Sequence, residues 1–208
     1  MSGGVLLVGA SGLAREVLAA GAPDVVGLLD DDPRLQGEQV GGMPVLGDVA
    51  SAVNRDEDLL VCVGPSLGRR AVVTRLIDAG TDPSRFRTFV APGARIGATC
   101  TVAYGVIVLE GVVVTADARI GEHVVVMPGC VITHDDILDP FATLAAGVTL
   151  GGGVMVGEAA YVGMNASVHP GRRVGEDAIV GMGAVVLTDV PAGETWAGVP
   201  AVRIGAST

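Results

Sequence analysis

A six-residue hydrophobic period runs through the second half of the chain. From Val90 to Val186, every sixth residue is Ile, Val or Leu, without gap or insertion. An α-helix repeats its apolar face about every 3.6 residues and an ordinary strand every 2, so neither explains the pattern. A strict period of six is typical of a parallel β-helix, in which short strands and turns wind into a triangular prism. The repeat therefore predicts an all-β domain in which three hexads make one coil.

The residues between the aliphatic positions support this interpretation. The fourth residue after each one is usually small or β-branched, and the chain has 32 Gly and only 3% aromatic residues. A single coil cannot bury its own apolar face, so we expect a stack of about five coils at about 4.8 Å per layer. Two cysteines take small inward slots and one lies in an apolar run, which predicts buried structural thiols at Cys62, Cys100 and Cys130.

The first part of the chain has a different organisation. Residues 1–85 are predicted to form an α/β domain with a small Rossmann-like parallel sheet, and residues 86–208 the β-helix. Short apolar runs alternate with helical segments, which favours parallel strands. We predict strands at 5–8, 25–29 and 59–63, a helix over 13–20, and a second helix that Ser66 caps and that runs through residue 77.

A glycine-containing turn follows the first predicted strand. Gly9, Ser11 and Gly12 lie where a sheet of this kind can hold a phosphate at a helix N-terminus. Asp30 follows about twenty positions later, where an acidic residue commonly meets a ribose. Ser11 and Ala14 replace two glycines of the strict dinucleotide motif, which disfavours a dehydrogenase. Spacing alone leaves open a purely structural domain whose acidic run is a solvated turn.

Net charge and hydropathy disfavour several classes of binding partner and indicate where the protein is located. The net charge of −10 disfavours nucleic acid and anionic membrane surfaces, since both would repel the chain. No apolar run reaches transmembrane length and the N-terminus lacks a basic segment before an apolar one, so we expect a cytoplasmic protein.

Of the three histidines, His134 has the neighbours that acid–base chemistry needs. It precedes Asp135 and Asp136, and Asp136 takes a slot that other hexads give to small or aliphatic residues. A neutral imidazole can accept a proton from an amine or hydroxyl, and an adjacent carboxylate can orient it. The alternative is an exposed histidine among solvated acids. His123 lies on a turn without a partner and is expected to face solvent, and His169 is expected to be a spectator.

The histidines occupy three different positions within their hexads, so a zinc site built from them is disfavoured and no metal is expected. Gly152 lies one coil after His134 on the same edge, whereas Met164 and Met182 lie on a different edge. A long thin ligand could pass Gly152 of one subunit and the methionine edge of its neighbour if the prisms pack around a three-fold axis.

Several motifs together resemble the bacterial sugar acetyltransferases of the left-handed β-helix class, in the branch that acts on UDP-4-amino-sugars or sialic acid. The resemblance spans nearly the whole chain, and its N-terminal motifs are the more specific. It includes the glycine turn, the hexad run, His134 with Asp135, and these further segments: 15–17, 26–31, 44–47, 61–64, 189–193 and 197–201.

The resemblance implies a left-handed coil, a homotrimer, and active sites between subunits. It implies His134 as general base and Asp135 as its orienting acid. A nucleotide sugar would bind near the following residues of the N-terminal domain: Gly9, Ser11, Gly12, Asp30, Asp31, Gly64, Ser66 and Arg69. Acetyl-CoA, the co-substrate, would lie along the prism near these residues: Thr143, Gly152, Met164 and Met182.

The chain departs from the family pattern at four positions, which are Leu13, Met127, Asp136 and Thr143. These changes lie around the acceptor and the acyl carrier. The sequence favours acetyl-CoA-dependent N-acetylation of a nucleotide-linked amino sugar. O-acetylation of a sugar or sialic acid stays open because the same base serves a hydroxyl, as does a trimer that only binds nucleotide sugars.

Overall fold

The computed structural model describes residues 3–206 of the chain. Its N-terminal unit has strands β1 (Val5–Val8), β2 (Val25–Leu29), β3 (Gln39–Val40), β4 (Met43–Pro44) and β5 (Asp58–Val61), and helices α1 (Gly12–Ala19) and α2 (Ser66–Asp78). Three short 3-10 helices complete it, at Pro33–Leu35, Val49–Asn54 and Pro83–Arg85.

The central strands of this unit form a three-stranded parallel sheet in the order β2–β1–β5. The predicted parallel pairing is thus confirmed. Helix α1 begins where the Ser11 hydroxyl accepts a hydrogen bond from the Leu13 N–H, and it buries Leu13, Ala14 and Val17 against the core. The predicted cap of α2 is wrong, because Ser66 is the first helical residue and its side chain caps no backbone group of the helix.

The hexads form a parallel β-helix with three faces, as the period predicts. Each hexad gives a two-residue strand that pairs with the strand 18 residues further along the chain, for example Val113 with Val131. The aliphatic residue of each strand points inward, and nearly all are fully buried from Val108 onward. Burying one such side chain contributes about 1.5–3 kcal/mol to the stability of the fold. An insertion would turn the following aliphatic side chains away from the interior, so the period runs without one.

The faces are named in the order in which the chain meets them. The first face contains Phe89–Val90, Ile107–Val108, Val125–Val126, Thr143–Leu144, Tyr161–Val162, Ile179–Val180, Glu194–Ala197 and Val202–Ala206. The second contains Arg95–Ile96, Val113–Val114, Val131–Ile132, Thr149–Leu150, Ser167–Val168 and Val185–Val186. The third contains Thr101–Val102, Arg119–Ile120, Ile137–Leu138, Met155–Val156 and Arg173–Val174.

Three corners join these faces. The first corner lies between the first and second faces, the second corner between the second and third faces, and the third corner between the third face and the first. The second corner is therefore opposite the first face of the same prism, which decides which residues one chain can bring together.

The N-terminal unit packs on the first face. Leu7 and Leu60 of the small sheet share one hydrophobic cluster with Ile107, Leu109 and Val125 of the prism. The shared cluster holds the N-terminal unit against the first coils of the prism. No helix within residues 3–206 is long and apolar enough to cross a membrane.

The prediction of buried cysteine thiols is confirmed at two of the three positions. Cys62 and Cys130 are fully buried, whereas Cys100, in one of the first coils, is only half-buried. The prediction of a buried Cys100 is wrong because the prism has few coils below it to cover that slot.

Candidate active site

His134 lies on the second corner, in the turn between Val131–Ile132 and Ile137–Leu138. Asp135 follows it in the left-handed backbone region, with a φ of 61°, a conformation that Asp tolerates better than most residues. The His134 Nδ1 atom lies 2.8 Å from Asp135 Oδ2. With a proton on Nδ1 donated to that carboxylate, Nε2 is left as the proton acceptor.

Gly152, one coil after His134, lies directly against the imidazole ring. A Cβ atom added at Gly152 would collide with Cε1 and Nε2 of the His134 ring. Glycine is therefore required for the observed ring position. The predicted proximity of these two residues along one edge agrees with the geometry.

Acidic neighbours set the proton affinity of His134. The hydrogen bond with Asp135 raises the pKa of His134 above its ordinary value, and the negative charges of Asp135, Asp136 and Asp117 add to the effect. An opposite charge stabilises the imidazolium. The corner can thus hold the proton that a nucleophile releases.

The glycine turn and the acidic residues after β2 form a connected loop cluster at the carboxyl ends of the parallel strands. Ser11 donates its hydroxyl to the Cys62 carbonyl at 2.7 Å. Asp30 accepts hydrogen bonds from the N–H groups of Ala10 at 2.7 Å and Asp32 at 2.8 Å. The carboxylate of Asp30 thereby fixes the turn that contains Gly9 and Gly12.

Asp31 is also engaged within the protein. It accepts a hydrogen bond from the Val49 N–H at 3.0 Å and forms an ion pair with Arg75. The hydrogen bonds from Arg75 and Val49 outweigh partial burial, so the pKa of Asp31 lies below its ordinary value. Asp30 and Asp31 together shape this edge of the sheet through bonds within the protein.

A cavity of about 640 Å³ lies between the N-terminal unit and the coils of the prism that contain residues 127–179. Of the residues predicted to bind ligands, Gly64, Ser66, Thr143 and Met164 line it. The other lining residues are mostly apolar: Glu16, Pro65, Leu67, Met127, Pro128, Ala145, Ala146, Ala159, Tyr161, Asp177 and Ile179.

The floor of this cavity is a buried hydrogen-bond network around Arg69. The guanidinium is fully buried and donates to backbone carbonyls on both sides of the domain contact, including those of His123 and Phe141, each at 2.7 Å. It also donates to Thr143 Oγ1 at 2.8 Å, and Ser66 donates to the same oxygen at 2.8 Å. Burial lowers the pKa of Arg69 to about 9, which leaves it cationic at neutral pH.

The bonds of this network occupy the polar groups of Arg69 and Thr143 and so limit the ligands that they can bind. Five carbonyls and one hydroxyl occupy the donors of Arg69, so the side chain orders the wall of the cavity from behind. Thr143 is 2% exposed, and its hydroxyl is already bonded to Ser66 and Arg69. Sequence reasoning missed this role of Ser66 and Arg69 because Thr143, the partner they share, comes from a hexad more than seventy residues away.

The prediction that His123 faces solvent is wrong. His123 is 1% exposed, and its ring stacks on Phe141 with a centroid distance of 5.3 Å. The rings of Phe86 and Tyr104 meet it edge-on at 4.8 and 5.4 Å. The N-terminal unit covers this third corner, and the hexad position alone cannot reveal that cover.

The remaining predicted site residues are exposed on the first and second corners. Met164 and Met182 are on the first corner, with 46% and 72% exposure, and His169 is on the second corner, where it is exposed. His134, on the second corner, and the cavity, on the first face, lie on opposite sides of one prism. One chain therefore does not bring the predicted base and the predicted substrate pocket together.

Residues 3–206 contain no group of three His, Cys, Asp or Glu side chains that could hold a metal ion.

The chain resembles solved bacterial sugar N-acetyltransferases along nearly its whole length. One is a histidine-to-alanine variant of the GDP-perosamine N-acetyltransferase from Caulobacter crescentus, in complex with CoA and GDP-perosamine. It is 33% identical, with a TM-score of 0.88, and the match covers 98% of this chain and 97% of that one.

Two further structures extend the comparison. The acetyltransferase domain of PglB from Neisseria gonorrhoeae FA1090, in complex with acetyl coenzyme A, is 28% identical with a TM-score of 0.87, and the match covers 98% of this chain and all of that domain. WeeI from Acinetobacter baumannii AYE is 22% identical with a TM-score of 0.68 over 96% of this chain, a likeness of fold. No protein-family model matches the chain, and no curated protein matches it significantly.

Proposed function

This chain belongs to the bacterial sugar acetyltransferases of the left-handed β-helix class, and from that premise we propose that it transfers the acetyl group of acetyl-CoA to the amino group of a nucleotide-linked sugar. The mostly parallel sheets with few helices fit this fold. The observation that carries the proposal is the His134–Asp135 pair on an open corner, with Gly152 against the ring.

The proposed reaction uses His134 as general base. As the amine nitrogen of the sugar attacks the thioester carbonyl, a nitrogen–carbon bond forms and the amine proton passes to His134 Nε2. The carbon–sulfur bond then breaks, and the imidazolium returns the proton to the departing thiolate of CoA. Asp135 holds the ring in the required tautomer and stabilises the imidazolium. Close placement of the two substrates supplies much of the rate.

The position of His134 leads to a shared active site. Because the second corner is opposite the first face, the base must act on a substrate held by a neighbouring chain. The second face lies between the first and second corners, and its outward residues above Arg95 are uncharged: Val113, Val131, Thr149, Ser167 and Val185. A three-fold contact through this face would bring the second corner of one prism to the first corner of the next. Acetyl-CoA would then lie between Gly152 of one subunit and Met164 and Met182 of its neighbour.

The N-terminal unit is the proposed holder of the nucleotide, as a Rossmann-like domain over residues 1–85. The turn at Gly9, Ser11 and Gly12, fixed by Asp30, lies at the N-terminus of α1, where the helix dipole favours phosphate. The cavity beside Gly64 and Ser66 has room for the sugar.

The decisive assay follows thiol release from acetyl-CoA with a panel of nucleotide-linked amino sugars, beginning with GDP-perosamine. Wild-type protein should turn over at least one of them, and His134→Ala should lose about 10²- to 10⁴-fold in kcat. His169→Ala is the matched control, since it removes an exposed histidine from the same corner two coils away. Turnover confined to hydroxyl acceptors, such as sialic acid, would replace N- by O-acetylation. Binding of nucleotide sugars without any turnover would leave a binding trimer.

A mixing experiment tests the shared site separately. Met164→Trp should obstruct the proposed path of acetyl-CoA beside the cavity, and His134→Ala removes the base, so each variant alone should be inactive. If the base and the cavity come from different chains, random co-assembly should restore about a quarter of the sites. If both come from one chain, mixing would restore nothing.

A further inference from the structure

Asp136 is the buried carboxylate nearest to the proposed base. It is fully buried and fills the inward slot of its hexad, where the preceding and following hexads have Cys130 and Ala142. A carboxylate in the apolar interior of a prism is costly unless it is bonded. Its contacts therefore indicate what it does.

One carboxylate oxygen of Asp136 replaces a backbone rung of the β-helix. At the matching positions one coil before and one coil after, Thr115 and Gly151 donate their N–H groups to carbonyls of the next coil at 3.0 and 2.9 Å. Thr133 instead donates its N–H to Asp136 Oδ2 at 2.7 Å. The Thr133 hydroxyl takes the place of that N–H and donates to the Leu150 carbonyl at 3.0 Å.

The other oxygen reaches the next coil. Asp136 Oδ1 accepts a hydrogen bond from the Val154 N–H at 2.8 Å. In the matching slot one hexad earlier, the Val148 N–H closes its own turn on the Ala145 carbonyl at 3.3 Å. One side chain thus binds the turn that contains His134 and the coil that contains Gly152.

We infer that Asp136 is a positioning residue for the proposed reaction: by bonding Thr133 and Val154 it helps to hold the His134 turn against Gly152, and it places a negative charge behind the imidazole. The inference rests on the proposed function, because it assigns Asp136 a part in placing and charging the proposed base. Two backbone N–H donors favour the ionised carboxylate, although burial raises the pKa of Asp136.

The charged groups around His134 allow the role of Asp136 to be separated from that of its neighbours. Asp135 belongs to the same turn and touches the ring, and Asp117 approaches from the coil before. The coil after contributes Gly152, which has no charge. Backbone bonds also hold this turn, from the Asp135 N–H to the Ala116 carbonyl at 3.1 Å and from the Gly153 N–H to the His134 carbonyl at 2.9 Å. Removing Asp136 therefore removes one of three nearby negative charges and two of the several bonds that hold the turn.

The test compares Asp136→Asn and Asp136→Cys with Thr133→Val. Asparagine keeps the size of the side chain but places an amide donor against a backbone donor. Cysteine suits the slot, since Cys130 fills the same slot one hexad earlier. Thr133→Val removes the hydroxyl bond to the next coil and a longer contact of 3.5 Å with Asp136 Oδ2, but it keeps the carboxylate and its two backbone N–H donors.

The first measurement is an NMR pH titration of His134 in the protein without substrates, which is practical because the chain has three histidines. Both Asp136 variants should lower the His134 midpoint by about half a pH unit or more, and Thr133→Val should leave it unchanged. The second is the pH profile of kcat and KM for acetyl-CoA. Here kcat should fall by about tenfold or more in both Asp136 variants with little change in KM, because the base is displaced and the carrier is not.

The outcomes separate this inference from the proposed function. If either folded Asp136 variant keeps the wild-type His134 midpoint and kcat while His134→Ala is inactive, Asp136 has no positioning role and the inference fails alone. If Thr133→Val shifts the midpoint as far as the Asp136 variants, general loosening of the turn explains the effect and the inference fails. If His134→Ala stays fully active, the proposed function itself is wrong.

Discussion

His123 should make the stability of this protein sensitive to mild acid. Its ring is 1% exposed, and neither ring nitrogen has a hydrogen-bond partner within residues 3–206. Burial, followed by the charge of Arg69, lowers the pKa of His123 to about 4. The folded protein therefore holds this histidine neutral at pH values where an unfolded chain would protonate it.

The sign and size of the effect follow from this difference. Between the folded pKa of about 4 and an unfolded pKa of about 6.5, the unfolded state binds more protons, so stability falls as pH falls. Between about pH 7 and pH 5 the loss from His123 alone should be about 2 kcal/mol. The loss should continue until the pH passes below the folded value.

His123→Phe is the matched variant. Phe141 holds the equivalent position one coil later with a φ of 62°, close to the 54° of His123, so the backbone accepts Phe there. The variant keeps the aromatic stacking and removes the titrating group. Urea unfolding from about pH 7 to pH 5, at one protein concentration, should show wild type losing about 2 kcal/mol more than the variant. Parallel losses in the two proteins would refute a neutral buried His123.

Three further predictions concern the contact between the domains and the site. Arg69→Lys should lower the free energy of unfolding by about 2 kcal/mol or more, because an ammonium cannot satisfy the carbonyls that the guanidinium bonds; an unchanged urea midpoint would contradict this. Gly152→Ala should lower kcat by about tenfold to a hundredfold while changing the unfolding free energy by less than about 1 kcal/mol, since the exposed His134 ring can move aside. Asp135→Asn should move the acidic limb of the kcat/KM profile to lower pH, because the hydrogen bond with Asp135 is the largest cause of the raised pKa of His134, and a limb that stays in place would exclude this pairing.

The prism could be predicted from the sequence almost residue by residue. The hexad period fixes which side chains point inward, and strand pairing follows because each coil repeats after 18 residues, as in Val113 with Val131. The parallel sheet also followed from local patterns. Ser66 departed from its predicted cap because Thr143 and the Ala160 carbonyl, far away in the chain, offered its hydroxyl better partners.

The candidate site was predictable only where its chemistry is local. Asp135 is adjacent to His134, and Gly152 follows by one coil, so the chain order alone brings these three together. The burial of His123 and the carbonyl cage of Arg69 depend on how the N-terminal unit packs against the third corner. Such packing joins segments with no common period, and no local pattern encodes it.

By itself, then, the sequence determined the periodic architecture, the imidazole–carboxylate pair and the family, because repeats and adjacent residues are properties of chain order. Only the tertiary structure decided which polar groups lose their water, since solvent exclusion depends on surfaces from distant segments meeting. It also decided that the proposed base and the cavity lie on opposite sides of one prism, because the N-terminal unit packs on the first face and leaves His134 exposed on the second corner.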